Sequence, residues 1–247
     1  MSRPPRFLAA FAALLLSAGV SFVLARRLGS PPNRGIAEHE KDEGHGHASR
    51  PVPPPVPPAA LLDRLLFNGA SPLARSVRLF GRIETPGDAV PPQGIEESGT
   101  WPDRWERRVA IPGDVAWLRL EGGRLSRSPH GDVPGTGLSA DQARLRLRAL
   151  FCLRHLADVA SGGGPGSPFV LKIEPMTSFP VEDGGGPFRL LVGGIAGGLR
   201  GIDSATGRVL FTAHMRTGDW FYPAAQSLLV GDRIVEVVRV VRTEVHT

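Results

Sequence analysis

The sequence predicts an α+β domain dominated by a large antiparallel β-sheet and preceded by one transmembrane helix. Three observations support this: an uncharged apolar run near the N-terminus, several segments that alternate apolar and polar residues, and one long helical pattern in mid-chain. Strands on both sides of a central helix, joined by short turns, are typical of an α+β fold with a meandering sheet.

The N-terminal segment has the length and the flanking charges of a membrane anchor. The run Phe7–Ala25 contains no charged residue and follows Arg3 and Arg6. At about 1.5 Å per residue, a helix over this run spans roughly the hydrocarbon core of a bilayer, and the preceding arginines place its N-terminus in the cytoplasm. Val23–Ala25 offers a small-residue cleavage site, whereas the long apolar run and Arg26–Arg27 favour retention. We therefore expect a single-pass protein of the inner (cytoplasmic) membrane, with its C-terminal domain in the periplasm or extracytoplasmic space.

Composition divides the chain into an anchor over 1–28, a linker over 29–58 and a folded domain over 59–247. The linker is acidic, contains histidines, has few large apolar residues and ends in the proline run Pro51–Pro58. This composition predicts disorder followed by an extended polyproline II spacer. The third segment is long enough to build one core. Its single cysteine, Cys152, excludes an intrachain disulfide, so its stability depends on packing.

The distribution of charge argues against a nucleic-acid partner. The formal net charge is +5, but the anchor region supplies most of it through Arg3, Arg6, Arg26 and Arg27. The remainder of the chain is close to neutral. It therefore lacks the concentrated positive charge that phosphate neutralisation requires.

The first half of the domain reads as a helix followed by strands. The helix is predicted over Ala59–Phe67, where leucines recur at helical spacing, and it ends at Asn68-Gly69. Strand patterns follow, the last two joined by the turn Pro112-Gly113-Asp114, at Val77–Ile83, Arg107–Ile111 and Val115–Leu120.

One long helix is predicted over Ser139–Ala160. Ser139 and Gln142 have the spacing of a capping box, in which each side chain satisfies a free amide of the other residue. The helix is expected to have an arginine-rich outer face formed by Arg144, Arg146 and Arg148. Its apolar stretch places Cys152 among buried residues, which favours an inert thiol over a nucleophile.

The second half of the domain reads as strands again. Asp203–Gly207 has the composition of a tight hairpin turn, and a long β-branched strand is predicted over Arg233–Val245. Other strands are predicted where apolar residues alternate with polar ones, at Phe169, Leu171 and Ile173, at Phe188, Leu190 and Val192, and most cleanly at Val209, Phe211, Ala213 and Met215. The aromatic run Trp220–Pro223 predicts a loop or a sheet edge that forms a rim.

The order of these elements resembles the bacterial lipoprotein-carrier fold of the periplasmic lipoprotein chaperone and its outer-membrane receptor. The resemblance covers Ala59–Thr247 and depends most on Gly198–Val209, which is similar to the family's strand, Asp-x-x-Thr-Gly, strand hairpin. The strand Val77–Ile83 after the opening helix and the Gly231-Asp232 turn before the last strand are similar too. The resemblance implies a large antiparallel sheet curled as an incomplete β-barrel with a covering helix, whose apolar concave face holds acyl chains.

The chain departs from that family in the way it is tethered. The carrier is freely soluble and the receptor has a lipidated cysteine, whereas this sequence has a peptide anchor and no cysteine near it. What the resemblance implies is therefore an extracytoplasmic apolar groove for a lipid, a lipoprotein acyl chain or another apolar ligand. Large apolar side chains in the strands are the groove candidates, although residues of this type also fill ordinary cores: Trp101, Trp105, Trp117, Phe169, Phe188, Phe211, Trp220 and Phe221.

Catalysis finds little support in the sequence. The Gly-x-Ser-x-Gly, His-Glu-x-x-His, Cys-x-x-Cys, Walker and three-glycine Rossmann (Gly-x-Gly-x-x-Gly) patterns do not occur, so we expect neither an enzyme nor a cofactor. The leading hypothesis is a membrane-tethered, lipid-binding half-barrel. The alternative is a structural or interaction protein with a filled core that docks an envelope partner. A weaker alternative is a metal-responsive protein that uses the linker histidines, whose spacing is poor for a structural site: His39, His45 and His47.

Overall fold

The computed structural model describes residues 56–87, 90–130, 133–162, 166–171, 174–193 and 198–247. The predicted anchor, most of the linker and the linker histidines lie outside these residues, as does Ile173. Within the described ranges, none of the helices combines the length and the apolar character needed to cross a membrane.

Within these described ranges, twelve strands form one sheet in which neighbouring strands are antiparallel. Their bounds are β1 Ser76–Glu84, β2 Gln93–Thr100, β3 Arg104–Ile111, β4 Asp114–Glu121, β5 Arg124–Arg127, β6 Ser167–Leu171, β7 Glu174–Glu182, β8 Pro187–Gly193, β9 Leu199–Ser204, β10 Gly207–Thr217, β11 Trp220–Val230 and β12 Arg233–His246.

The strand order is β5-β4-β3-β2-β1-β12-β11-β10-β9-β8-β7-β6. The chain builds outward from β1 to the edge strand β5, crosses to the opposite edge at β6, and returns strand by strand until β12 pairs with β1. The two edge strands do not pair with each other, so the sheet is unclosed. This large, unclosed antiparallel sheet with few helices is consistent with the predicted incomplete barrel.

Three helices are described: α1 over Pro58–Leu65, α2 over Ala140–Leu150 and α3 over Cys152–Ala160. The last two form the crossover between the edge strands. α2 packs against β3, β4 and β5 in one half of the strand order and against β9 and β10 in the other half. α3 packs against β7, β8 and α1. One helix can contact both halves only because the sheet curls around it, so α2 and α3 cover the concave face.

The capping box at the start of α2 is confirmed. The amide of Gln142 donates to Ser139 Oγ at 3.2 Å, and the amide of Ser139 donates to Gln142 Oε1 at 2.8 Å. The predicted single helix is wrong in its continuity, because the backbone breaks at Phe151 with φ −102° and ψ 26°. At this break the Tyr222 hydroxyl donates to Leu150 O at 2.6 Å, so β11 satisfies a helix-end carbonyl.

The predicted arginine-rich outer face of this helix is also wrong. The exposed fraction is 0% for Arg146 and 4% for Arg148, and Arg144 is half-buried. Helical periodicity identifies which residues share a face, but it assumes that one face meets solvent. Here the curled sheet surrounds the helix, so its arginines face protein instead of water.

Alternation of burial confirms the strands predicted around Val77–Ile83, Arg107–Ile111 and Val115–Leu120, and the long last strand. The sequence does not predict β2, which reads QGIEESGT and has only one large apolar residue, Ile95. The opening helix ends at Leu65, slightly earlier than predicted, and Asn68 and Gly69 have positive φ as their sequence indicates.

Two interpretations of the later strands are corrected by the structure. In β10, register shifts around Ala213 break the alternation after Phe211, and Ala213 is exposed. The aromatic run Trp220–Pro223 is not a loop, because it begins β11 and pairs with β10; it lies at a local sheet edge as predicted, but Trp220 and Tyr222 are buried, so it does not form a rim. Pro223 is tolerated because the pairing of β11 with β12 starts only at Ala225, so no ladder hydrogen bond to β12 is lost.

Gly99 marks a close approach between β2 and the helical crossover. A Cβ at this position would lie 3.0 Å from Leu150 Cδ1, 3.0 Å from Phe151 Cε2 and 3.1 Å from Leu147 Cδ1. We predict that Gly99→Ala lowers the free energy of unfolding by about 1–3 kcal/mol, because three packed side chains must move. Urea denaturation measures this change.

Gly94 on the same strand provides the matched control. Its added Cβ would meet only Ala110 Cβ, at 3.9 Å. Gly94→Ala should therefore leave stability unchanged or raise it by about 0.4–1 kcal/mol through the unfolded state. If both alanine variants had the same effect, the packing of the crossover on β2 would be contradicted.

Candidate functional site

The concave face of the sheet carries the main hydrophobic core, and the crossover completes that core. Strand residues such as Leu79, Val109 and Leu118 are fully buried beneath helix residues such as Leu145 and Leu150. The region predicted as a groove is therefore occupied by the chain's own helices.

Four of the predicted groove residues meet in this core. They come from β3, β8, β10 and β11, and their exposed fractions are 0% for Trp105, 2% for Phe188, 2% for Phe211 and 6% for Trp220. Trp101 and Phe221 are half-buried at its border. The Trp101 ring centroid lies 5.3 Å from that of Phe151, and the Phe221 ring centroid lies 4.9 Å from that of Phe67.

Trp117 and Phe169 lie apart from this group. Trp117 points to the opposite face of β4 from the buried Leu118, and the Arg119 guanidinium lies 5.5 Å from its ring. Phe169 is half-buried beneath the guanidinium of Arg208 at 4.5 Å. Aromatic character alone does not reveal which face of a strand a residue occupies. A ligand-binding role for the eight residues stays a prediction.

A buried cluster of four charged residues lies at the centre of the covered face. It joins Glu97 of β2, Arg107 of β3, Arg146 of α2 and Glu236 of β12, and each of these residues is at most 2% exposed. Arg107 donates to both carboxylates: Nε to Glu97 Oε1 at 2.7 Å, and Nη1 and Nη2 to the two oxygens of Glu236 at 2.7 and 2.8 Å. We call these four residues the ion cluster.

Arg146 connects the covering helix to the same carboxylates. Its Nη2 donates to Glu97 Oε2 at 2.8 Å, and its Nε lies 3.7 Å from Glu236 Oε1. The Nε and Nη1 of Arg146 have no hydrogen-bond partner within the described ranges. The helix is thus attached to the centre of the sheet by charge, with part of the hydrogen-bonding capacity of Arg146 unused.

Neighbouring charges favour the ionised forms of Glu97 and Arg107 despite their burial. Burial alone would raise the pKa of Glu97, but the guanidiniums of Arg107 and Arg146 outweigh it and hold that pKa below its ordinary value. Burial would lower the pKa of Arg107, but Glu236 and Glu97 raise it above its ordinary value. Two cations and two anions balance, so the core carries no net charge here.

Alternation in β3 gives a partial signal for this cluster, although the sequence does not predict β2 itself. Glu97 lies between Ile95 and Gly99 on the inward side of its strand, and Arg107 lies between Trp105 and Val109. A charged residue at an inward position of an alternating strand requires a buried partner of opposite charge. Because β2 and β3 are neighbours, the inward charges of Glu97 and Arg107 identify each other as ion-pair partners.

A second polar attachment holds the crossover near one edge of the sheet. Arg148 donates from Nε and Nη2 to the two oxygens of Asp183 at 2.8 and 2.7 Å, and to Gly186 O at 2.6 Å. Its guanidinium also lies 4.3 Å from the ring of Phe188. Burial would raise the pKa of Asp183, but Arg148 holds it below its usual value.

His155 of α3 is buried between aromatic rings. Its ring centroid lies 5.1 Å from that of Trp101 and 4.8 Å from that of Phe188. Neither ring nitrogen has a hydrogen-bond partner within the described part of the chain. Burial is the main reason that the pKa of His155 falls to about 3; Asp183 opposes this shift, and Arg148 and Arg154 add to it.

The neighbouring Cys152 is buried, as the sequence predicts, and burial raises the pKa of its thiol. A thiolate nucleophile is disfavoured in such surroundings. Over the described ranges, no group of three or more His, Cys, Asp and Glu side chains is arranged to hold a metal ion.

The surface of the described residues includes two depressions with charged walls. One, of about 520 Å³, lies over β1 to β4 and is lined by four arginines, Arg78, Arg104, Arg108 and Arg119, together with Glu106. These arginines pair with glutamates on the same surface, including Glu106. The other, of about 350 Å³, lies where three hairpin turns meet α2.

Comparisons with known proteins give distant similarities in fold. No protein-family model matches the chain, and no curated protein matches it. Among solved structures, a LolA superfamily protein from Nitrosomonas europaea is similar with a TM-score of 0.43 and 9% identity, over 77% of this chain and 92% of that chain. A DUF1329 family protein from Desulfovibrio piger is similar with a TM-score of 0.37 and 10% identity, over 76% and 90% of the two chains. The distant resemblance predicted from the sequence is thus found again among solved structures.

Removal of Arg107 tests the ion cluster. Arg107→Met leaves Glu97 and Glu236 buried with Arg146 as their only cation in the cluster. We predict a loss of about 3–5 kcal/mol in the free energy of unfolding, because uncompensated buried charge is strongly unfavourable. Guanidinium chloride denaturation measures the loss.

The next residue gives the control for this variant. Arg108 is 55% exposed and pairs with Glu106 on the outer face. Arg108→Met should change stability by less than about 1 kcal/mol, as exposed pairs do. If Arg107→Met also lowered the free energy of unfolding by less than about 1 kcal/mol, the ion cluster would not be what orders the core.

His155 gives the fold a predicted sensitivity to acid. The folded state keeps His155 neutral down to about pH 3, whereas the unfolded chain takes up a proton near the ordinary pKa of 6.5. The free energy of unfolding should therefore fall as the pH drops below 6.5. The loss is about 2 kcal/mol at pH 5, since each pH unit contributes about 1.4 kcal/mol. His155→Leu should flatten this part of a pH series of urea denaturation curves.

The window from pH 6.5 to 5 separates His155 from the carboxylates. Glu97 and Asp183 have lowered pKa values, so their contributions are lost only at more acidic pH. His246→Leu is the control, because that side chain is exposed near the C-terminus. If the free energy of unfolding had the same slope against pH for the wild type and His155→Leu across this window, His155 would be accessible to protons in the folded state.

Proposed function

We propose that this chain is a membrane-tethered, non-catalytic module of the cell envelope that binds an apolar ligand inside its half-barrel. The ligand class is a lipid, a lipoprotein acyl chain or a molecule of similar character. One observation carries the proposal: the apolar concave face is covered by a single helical crossover, and polar contacts attach that crossover at its centre and near one edge.

Polar attachment makes the cover easier to displace than an apolar one. Buried ion pairs add little net stability, because desolvation offsets most of their attraction, and the charges regain hydration when they are exposed. Opening would also expose apolar residues of the strands, such as Leu118 and Phe211. An acyl chain that enters the half-barrel would bury this surface again at about 25 cal/mol per Å².

The segment before the domain supports the proposed location. The uncharged run Phe7–Ala25 and the proline run Pro51–Pro58 would hold the domain near the outer surface of the inner membrane. A ligand that partitions into a bilayer would be available there at high local concentration.

A second candidate is a structural or interaction protein of an envelope complex. The filled interior favours it, since Trp105, Phe188 and Phe211 are buried in one continuous core and the two surface depressions have charged walls. In that case the crossover would be a permanent part of the core.

Ligand binding by the full chain distinguishes the two candidates. Native mass spectrometry after extraction from membranes should detect bound lipid, and a fluorescent fatty acid should bind saturably. If the protein carries no lipid and does not bind the fatty acid, the groove proposal is wrong and the interaction protein is the remaining candidate.

Tyr222→Phe tests whether the crossover is the cover. The variant removes the hydroxyl that donates to Leu150 O at 2.6 Å and leaves that buried carbonyl unpaired. A loss of about 1–2 kcal/mol from the closed state should speed fatty-acid uptake roughly 5- to 30-fold, measured by stopped-flow fluorescence. Ser126→Ala removes an exposed hydroxyl contact on β5 and should leave the rate unchanged. An unchanged rate in Tyr222→Phe would contradict opening at α2.

A further inference from the structure

The smaller depression lies in the gap of the open barrel. Its volume is about 350 Å³, and its walls are the β2–β3, β4–β5 and β7–β8 turns together with one face of α2. Arg144 and Arg148, one helical turn apart, both line it. Residues near the two edges of the sheet thus meet across the helix at this point.

The two arginines differ in how their charge is balanced. Arg148 is neutralised by its bidentate pair with Asp183. Arg144 makes one long contact, from Nη1 to Gly185 O at 3.4 Å, and no carboxylate of the described residues lies within ion-pair distance of it. Asp103 lines the depression but pairs with neither arginine. Arg144 therefore presents a half-buried guanidinium with unused donors to a concave site.

Two glycines leave room for this guanidinium. A Cβ at Gly123 would lie 3.3 Å from Arg144 Nη2, and a Cβ at Gly185 would lie 3.0 Å from Arg144 Cδ. Any side chain at either position would press on Arg144. The turns on both sides of the gap are therefore shaped around an extended Arg144 side chain.

The same depression has an apolar side. Leu120 of β4 and Leu147 of α2 are both among its lining residues. These leucines are only 1% and 2% exposed, so the apolar surface that they offer is small. The guanidinium is the main binding group, because it binds a phosphate or carboxylate through two parallel hydrogen bonds.

We propose that this depression is a binding site for a phosphate group, with Arg144 as the residue that binds it. The site goes beyond the proposed groove, because it is open at the surface and does not require the crossover to move. The anion is either a free one or the head group of an amphiphile, since both have the same charged oxygens.

Isothermal titration calorimetry on the full chain in phosphatidylcholine nanodiscs tests the site with inorganic phosphate, hexyl phosphate and hexanol. Binding of inorganic phosphate identifies a free anion, and binding of hexyl phosphate alone identifies an amphiphile head group. In either case we expect Arg144→Gln to weaken binding at least tenfold. Arg233→Gln removes an exposed arginine outside the depression and should bind as the wild type does.

A second variant changes the site without changing its charge. Gly185→Ala adds a methyl group 3.0 Å from Arg144 Cδ and 3.2 Å from both Arg148 Nη2 and Asp183 Oδ1, at a position where φ is not in the left-handed region. We expect it to weaken phosphate binding as well, with an unchanged near-ultraviolet circular dichroism spectrum. The proposal is overturned if the wild type binds neither phosphate, or if Arg144→Gln binds as tightly as the wild type. Hexanol reports separately on the proposed function: its failure to bind while a phosphate binds would count against the apolar groove and leave this site intact.

Discussion

The ion cluster is the interaction on which the arrangement of this domain depends. Arg107 and Glu236 are separated by 129 positions in the chain and lie on β3 and β12, with β2 and β1 between them, yet their side chains meet because β12 returns to pair with β1 and the sheet curls. Arg146 brings the covering helix to the same point. Apolar contacts tolerate a shift in register, but a buried charge that loses its partner is strongly unfavourable. The cluster therefore specifies where the helix lies, even though it adds little net stability.

Other features of the crossover follow from this fixed centre. With Arg146 held at the middle of the concave face, Arg148 reaches Asp183 on one side, and Arg144 extends into the gap between the two edges of the sheet. α2 ends at Leu150, whose carbonyl accepts a hydrogen bond from the Tyr222 hydroxyl. The next helix, α3, places the His155 ring against that of Trp101. The proposed cover and the proposed anion site are thus two consequences of one helix position.

Period-two alternation predicts the strands that have one apolar and one polar face, such as β1, and the capping box predicts the start of α2. Alternation does not predict β2, because Glu97 occupies an inward position that the pattern assigns to an apolar residue. The burial of Arg146 and Arg148 depends on a sheet that curls around the helix, which is a tertiary property. Similarly, the sequence groups Trp105 with Trp117 as groove candidates, although only the first of them faces the core.

For a ligand to enter the half-barrel, α2 and α3 must leave the sheet as a unit while the sheet stays folded. Native-state hydrogen exchange over a series of denaturant concentrations measures this directly. We predict that amides of Leu145–Leu150 exchange through a partial opening, with a lower free energy and a smaller denaturant dependence than amides of β2 and β12. Exchange of all three segments only through global unfolding, with one free energy and one denaturant dependence, would contradict it.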